Sequence, residues 1–314
     1  MKISSVIELP GPFNRLNDVF FKYVLASPER KHITIAFLNA ALNHYVPAGE
    51  KVIEIEDVEF LDRETVAHIA SDKGARFDVF ARAKDGRLFH IEVQNMREDF
   101  FMQRSFYYGA VDFMTQIERG GKYADLKPVI FIGLMNFTLL GSSDRPEEWY
   151  TLHRFMNAKT HEVTLREIEF HMVELPLLKK YLERSDVRVK DSFEELMCYF
   201  GRIGGDELMA EIAERNPLVR DLLDAEGKFM LDHIAYRNYA INERARQDLE
   251  EQIKRDNKRY EELGEKRGEK RGEKRGEKRA REEMLRTLRA KSGMTDEQIA
   301  EMFNLPIDLV KGVN

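Results

Sequence analysis

Apolar positions along the chain change their spacing several times, and each change predicts an element. In LNDVFFKYVLAS, residues 16–27, Leu16, Val19, Phe20, Tyr23 and Val24 recur every three or four residues, which predicts a helix. Asn17 stands where a side-chain oxygen can cap its free N–H groups, and Ser27-Pro28 ends it. Ile33, Phe37, Leu38 and Leu42 predict a second helix, stopped by Pro47 and Gly49. In KVIEIEDVEF, residues 51–60, Val52, Ile53 and Ile55 stand against Glu54 and Glu56, which predicts a strand entering a loop. Two β-prone runs, 75–83 and 87–94, flank Lys84-Asp85-Gly86 as a hairpin. A helix over 99–119 follows, marked by Phe100, Phe101, Arg104, Tyr107, Tyr108, Val111, Met114 and Ile117 and closed by Gly120-Gly121. The run KPVIFIGLM, 127–135, suits a strand buried on both faces. Further strands are expected over 150–156 and 168–175, and helices from about 176 onward. Hairpin strands, then a helix, then a buried strand imply a mixed sheet covered by helices on both faces.

The pattern fails at 243–292. Apolar residues thin out, GEKR repeats four times from Gly264, and no apolar seam supports a coiled coil. Four glycines each cost a helix roughly 1 kcal/mol relative to Ala, so this stretch is expected to be a solvated, partly helical, low-complexity linker. Its alternative role, a basic arm on nucleic acid, is opposed by the interleaved glutamates. In the last 22 residues Thr295 and Gln298 have capping-box spacing before Ile299, Met302 and Phe303, and Asn304-Leu305-Pro306 turns into Ile307, Leu309 and Val310. That is half of a helix-turn-helix in outline, too short to fold alone. Docking on a partner chain or on the main domain is the expectation.

Charge changes the picture only locally. The net charge is −6, yet residues 243–292 hold 18 Lys/Arg against 13 Asp/Glu, so any nucleic-acid surface must be a local basic patch. One cysteine, Cys198, excludes an internal disulfide and a zinc cluster and fits a reducing, cytoplasmic setting. The eight histidines have no metal-site spacing, no phosphate-binding glycine loop occurs, and no apolar run is long enough to span a membrane. The N-terminus shows no secretory signal.

Candidate chemistry sits in the hairpin, RFDVFARAKDGRLFHIEVQN. Asp78 interrupts an apolar run and Glu92 lies between Ile91 and Val93. A two-residue turn at Asp85-Gly86 sets Asp78 opposite Val93 and sends Glu92 to the other face. A three-residue loop, with Gly86 left-handed, sets Asp78 opposite Glu92, Arg76 opposite Gln94 and Phe80 opposite His90. The second register explains the pattern better, because Phe77, Val79, Ala81, Ile91 and Val93 then form one apolar face. Directly opposed carboxylates have Cβ atoms roughly 4.5–5.5 Å apart. They repel unless one is protonated or a cation lies between them. Mg²⁺ takes one or two carboxylates with waters and phosphate oxygens. The spacing therefore points to a hard metal held by Asp78 and Glu92, with the Val93 carbonyl in reach.

The order Asp78, then Glu92-Val93-Gln94 on the next strand, resembles the signature of the PD-(D/E)XK nucleases, in the variant with Gln in the last place. NDVFFKYVL, the hairpin, RSFYYGAVDFMTQIERGGKYADLKPVIFIGLMNF and IEFHMVEL are similar to the recombination-promoting nuclease and transposase branch of that superfamily, over about residues 14–240. The resemblance implies a restriction-endonuclease-like α/β core, a mixed central sheet flanked by helices, over 1–175. A helical extension over 176–242, the charged linker over 243–292 and a helical tail over 293–314 follow. It implies Mg²⁺-dependent endonucleolytic cleavage of DNA, with Mn²⁺ as a substitute, in recombination or transposition. Asp78 and Glu92 would hold the metal, and Gln94 would replace the usual Lys, orienting water without a charge. Asp18 is the candidate for a further acid, and Arg76, Arg104 and Lys22 for contacts with nucleic acid.

Each residue also has a plainer reading. Gln94 could pair with Arg76 across the strands, Asp18 could serve its helix dipole, and Lys22 could pair with Asp18 at i,i+4. Tyr107 and Tyr108 could stack on bases or fill core. His90 reads as a face-filling residue. For the whole chain the alternatives are a catalytically weak or inactive nuclease-fold module binding DNA or protein, and a scaffold that forms homo-oligomers through its C-terminal helical region.

Overall fold

The computed structural model describes residues 12–61, 78–117, 120–184 and 186–312 of the chain. Arg76 and Phe77, expected on the hairpin, lie outside the described residues. Helix α1 (Asp18–Leu25) begins where the Asn17 side chain accepts a hydrogen bond from the Val19 N–H, and it buries Phe20, Phe21, Val24 and Leu25. Helix α2 (Lys31–Asn43) buries Ile33, Phe37, Leu38 and Leu42.

The strand expected over 51–60 is reduced to β1 (Val58–Phe60), and the reason lies on α2. Asn43 donates to the Ile53 carbonyl at 2.7 Å and accepts from the Ile53 N–H at 2.9 Å. One turn earlier Asn39 donates to the Ile55 carbonyl at 3.0 Å and accepts from its N–H at 2.7 Å. Two side-chain amides thus take the hydrogen bonds a neighbouring strand would have offered, and the segment stays extended without joining the sheet.

Strands β2 (Val79–Ala83), β3 (Leu88–Gln94) and β4 (Val129–Met135) follow, the last buried along its whole length as expected. Between β3 and β4 runs α3 (Phe101–Met114), shorter than the expected 99–119. It ends before Gly120 because the Gln116 amide clamps the backbone of Lys127, donating to its carbonyl at 2.8 Å and accepting from its N–H at 2.9 Å. Strands β5 (Tyr150–Met156) and β6 (Val163–Glu174) complete a six-stranded mixed sheet in the order β1-β2-β3-β4-β6-β5. β6 begins earlier than the expected 168 because Val163 and Leu165 pair with Met156 and Phe155 at a largely exposed edge.

The two faces of the sheet bury different things. On one, Val79, Ala81, Phe89, Ile91, Val93, Ile130, Ile132 and Leu134 join Phe20, Phe21, Phe37, Phe193, Phe200 and Phe229 in the main core. Those last three belong to α5 (Ser192–Gly201) and α7 (Pro217–Leu231), which follow α4 (Leu175–Leu182) and flank α6 (Gly205–Arg215). On the other face α3 lays Phe101 and Tyr108 on Phe131, Met135, Ile168, Phe170 and Met172. The fit there is tight at Gly133, which pairs with Glu92 on one side and Met172 on the other. A Cβ at Gly133 would stand 2.9 Å from Met172 Sδ and 3.2 Å from the rings of Phe101 and Phe131.

A second compact unit begins at Gln247. Helix α8 (His233–Ser292) runs without a break through the GEKR repeats, where partial helix was expected. The tail, α9 (Asp296–Met302) and α10 (Ile307–Lys311), folds onto the end of α8. Leu285, Ile299, Ala300 and Val310 form its core, and Thr295 and Gln298 make both bonds of the capping box.

Overpacking a full core costs about 1–3 kcal/mol. Gly133→Ala should destabilise the protein by that amount in urea unfolding, because Phe101 and the start of α3 must lift from the sheet. An unchanged midpoint would show that α3 is free to shift.

Candidate active site

The turn decides which side chains meet. Gly86 has φ +93°, its N–H donates to the Ala83 carbonyl at 2.9 Å, and the Ala83 N–H donates to the Arg87 carbonyl at 2.8 Å. Lys84-Asp85-Gly86 is therefore a three-residue loop, and β2 pairs with β3 as Val79↔Ile91, Phe80↔His90 and Ala81↔Phe89. One step further along that register sets Asp78 beside Glu92. The Asp78 Oδ2 accepts from the Val93 N–H at 2.9 Å, which fixes the carboxylate at the end of β2. In a strand the carbonyl of a residue points to the same side as its N–H. The Val93 carbonyl thus opens toward Asp78 as well.

Both carboxylates are 7% exposed. Burial pushes the Asp78 carboxyl up to about 6, helped by the neighbouring charge of Asp18 and opposed by Lys22. Burial likewise pushes Glu92 up to about 7, with Arg104 opposing and Asp78 and Glu98 adding to the rise. Asp18 stands at the start of α1, and its carboxyl is also raised, first by desolvation, with Lys22 opposing and Glu243 assisting. Asp78 is therefore within electrostatic reach of both Asp18 and Glu92.

Cations reach this group from two helices. Lys22 on α1 holds its ammonium 3.4 Å from Asp78 Oδ1. Arg104 on α3 binds Glu92 Oε1 through Nη2 and Glu98 Oε2 through Nη1 at 2.6 Å. Gln94 donates to Glu98 Oε2 at 3.2 Å, and its Oε1 lies 3.5 Å from Arg104 Nη2. Glu98 was missed in the sequence; its only signal there is an acid within the turn between strand and helix. Tyr108 is core, and Tyr107 is 54% exposed.

His90 fills the face as expected, with a partner the sequence did not reveal. Its ring stacks on Phe80 with centroids 4.4 Å apart, and Nε2 lies 2.5 Å from Asp112 Oδ2 on α3. Both side chains are almost fully buried, so the pair anchors the last turn of α3 to β3.

Glu92 Oε2 is buried and has no hydrogen-bond partner among the described residues. An acceptor in that condition costs free energy unless something binds it. With Asp78 Oδ1, which Lys22 now faces, and the Val93 carbonyl, it could offer hard oxygen donors of the kind a small divalent cation takes. A second group, His44, Asp191 and Glu194, also brings possible ligand atoms within 4.8 Å of one another. There the groups already have work: Asp191 caps α5, accepts from Phe193 and Glu194 N–H groups and meets His44 Nδ1 at 2.7 Å, while Glu194 accepts from the Lys190 N–H.

A mixed sheet flanked by helices, with acids at the ends of two adjacent strands, is the frame of a restriction-endonuclease-like fold. The model of the PD-(D/E)XK nuclease family transposases matches residues 15–256, and the chain belongs to that family. No curated protein and no solved structure matches the chain significantly. Among the described residues no helix is long and apolar enough to cross a membrane.

The raised carboxyls have a thermodynamic sign. A folded state that holds protons more tightly than the unfolded chain loses stability as pH rises from the ordinary values, 3.8 and 4.5, to the folded ones, about 6 and about 7. The double variant Asp78→Asn/Glu92→Gln should gain on the metal-free wild type across about pH 4 to 7, by on the order of 2–3 kcal/mol per group. Thermal melts at stepped pH measure this, and a difference that is flat over the window would contradict the burial argument.

Proposed function

We propose that the chain is a Mg²⁺-dependent endonuclease that hydrolyses DNA phosphodiesters, with Mn²⁺ able to substitute, acting in recombination or transposition. One observation carries the reading. Asp78 and Glu92 share one end of the sheet, buried, with an oxygen of Glu92 left without a partner among the described residues. Family membership supports a nuclease or transposase role, and the acid pair supports the metal. Asp78, Glu92 and the Val93 carbonyl would hold the cation, which when bound lowers the pKa of a coordinated water and offsets charge on phosphorus. Gln94 orients the attacking water through its amide. Asp18 adds a further carboxylate at the rim. Arg104, Lys22 and Arg76 supply positive charge to the phosphate backbone.

A second reading, a nuclease-fold module that binds DNA or protein without cutting well, draws on Gln94. Its amide brings no charge to the reaction and is already engaged by Glu98 and Arg104. Nicking of supercoiled plasmid separates the two. The wild type should nick with Mg²⁺ and not without it, and Glu92→Ala should lose at least about 1,000-fold, on the scale of losing a metal's contribution. Nicking no greater than that of Glu92→Ala would favour the binding module. Calorimetric titration with Mn²⁺ tests the metal separately, and heats unchanged in Asp78→Ala would remove Asp78 as a ligand.

A cytoplasmic setting is part of this reading. Cys198 is buried, and its thiol is pushed up to about 12, so it offers no reactive thiolate. Homo-oligomerisation through the C-terminal helix draws support from Leu249, Ile253, Tyr260 and Leu263. These residues recur on α8 at spacings of four, seven and three and remain 41–72% exposed. Removing residues 247–314 should reduce the particle to a monomer by light scattering. A full-length protein that is itself monomeric would discard this arm.

A further inference from the structure

The two cations at the carboxylate pair are held in different ways. Arg104 is committed, with one nitrogen on Glu92 and the other on Glu98 at 2.6 Å. Lys22 is held loosely: its ammonium is 3.4 Å from Asp78 Oδ1, and its side chain is 39% exposed. Asp78 does not depend on it for position, because Oδ2 is fixed by the Val93 N–H at 2.9 Å. An ammonium on a flexible four-carbon stem has three donors and can turn to a new acceptor at small cost.

Hydrolysis of a phosphodiester adds negative charge to the oxygens on phosphorus, and a donor aimed at that charge is worth about 10²–10³ in rate. At this end of the sheet Gln94 brings a hydrogen-bonding amide but no charge. Arg104 could respond only by giving up a carboxylate it already neutralises. Lys22 reaches the same carboxylate pair from α1 with donors to spare.

We propose that Lys22 is the exchangeable cation of this site. Its ammonium neutralises Asp78, yields that oxygen when a divalent cation occupies the pair, and passes to a non-bridging oxygen of the scissile phosphate. It donates hydrogen bonds there and transfers no proton. The phosphate step rests on the nuclease reading above, whereas the exchange at Asp78 does not. The proposal has a sign that a merely supporting residue would not share. Lys22 and the divalent cation compete for Asp78, so removing Lys22 should tighten metal binding while weakening cleavage. A residue that only propped up the carboxylate would, on removal, weaken both.

The test compares the full-length wild type with Lys22→Gln and Lys22→Arg, whose folding is checked by thermal melts. Calorimetric titration with Mn²⁺ should show about three- to tenfold tighter binding to Lys22→Gln, the scale of one ion pair at this distance near water. Mg²⁺-dependent cleavage of a labelled duplex should show kcat lower by about 100-fold in Lys22→Gln with KM within threefold, and Lys22→Arg should recover at least a tenth of the wild-type kcat. Mn²⁺ affinity that is unchanged or weaker in Lys22→Gln overturns the exchange, and so does a kcat within threefold of wild type. A wild type that binds Mn²⁺ but cuts no duplex removes the nuclease reading; tighter Mn²⁺ binding to Lys22→Gln then still supports the exchange, and unchanged binding still overturns it.

Discussion

Two carboxylates on neighbouring strands, both shielded from water, repel each other, and the structure around them is organised by that repulsion. Coulomb energy grows as water is excluded. Asp78 and Glu92 are therefore acceptable only with cations close by. α1 provides Lys22 and α3 provides Arg104, from helices that pack on different parts of the sheet. Burial outweighs this partial neutralisation and leaves both carboxyls above their ordinary range, and one oxygen of Glu92 has no partner among the described residues.

The helices that carry these cations are pinned by polar bonds as much as by apolar packing. Asn95, just past β3, donates to the Leu16 carbonyl at 2.6 Å and ties the start of α1 to the strand that bears Glu92. Asn14 and Asn17 both donate to Glu243 Oε2, at 3.0 and 3.1 Å, so the N-terminal end of α1 is also fastened to α8. On the other face, α3 is located by Phe101 over Gly133 and by the His90–Asp112 pair three turns further on. Buried polar pairs like this one demand an exact partner where an apolar contact would tolerate sliding. That demand sets Arg104 against Glu92.

Much of this was legible in the chain. Hydrophobic spacing was enough for α1, α2, β4 and the sheet with helices on both faces, because burial of an apolar stripe is what those elements do. The pairing of Asp78 with Glu92 was legible through the three-residue loop, since Gly86 alone allows the backbone that this register needs. Other features were hidden. Asn39 and Asn43 look like ordinary helix residues, and nothing local says that they will take the hydrogen bonds of residues 53–55. The end of α3 depends on Gln116 finding Lys127 across a loop. Glu98 and Asp112 are single acids whose partners lie on other elements.

The sequence by itself determined most elements of the core and favoured the hairpin register that pairs Asp78 with Glu92, because each follows from spacing and turn geometry within about twenty residues. Tertiary structure decided which charges meet that pair. Lys22 lies 56 positions before Asp78, and Arg104 reaches Glu92 only after the chain has left β3 and turned back along the sheet. Contacts of that kind are set by how helices pack on a sheet, where a shift of one helical turn would bring another side chain to the site. No periodicity in a linear sequence records that choice.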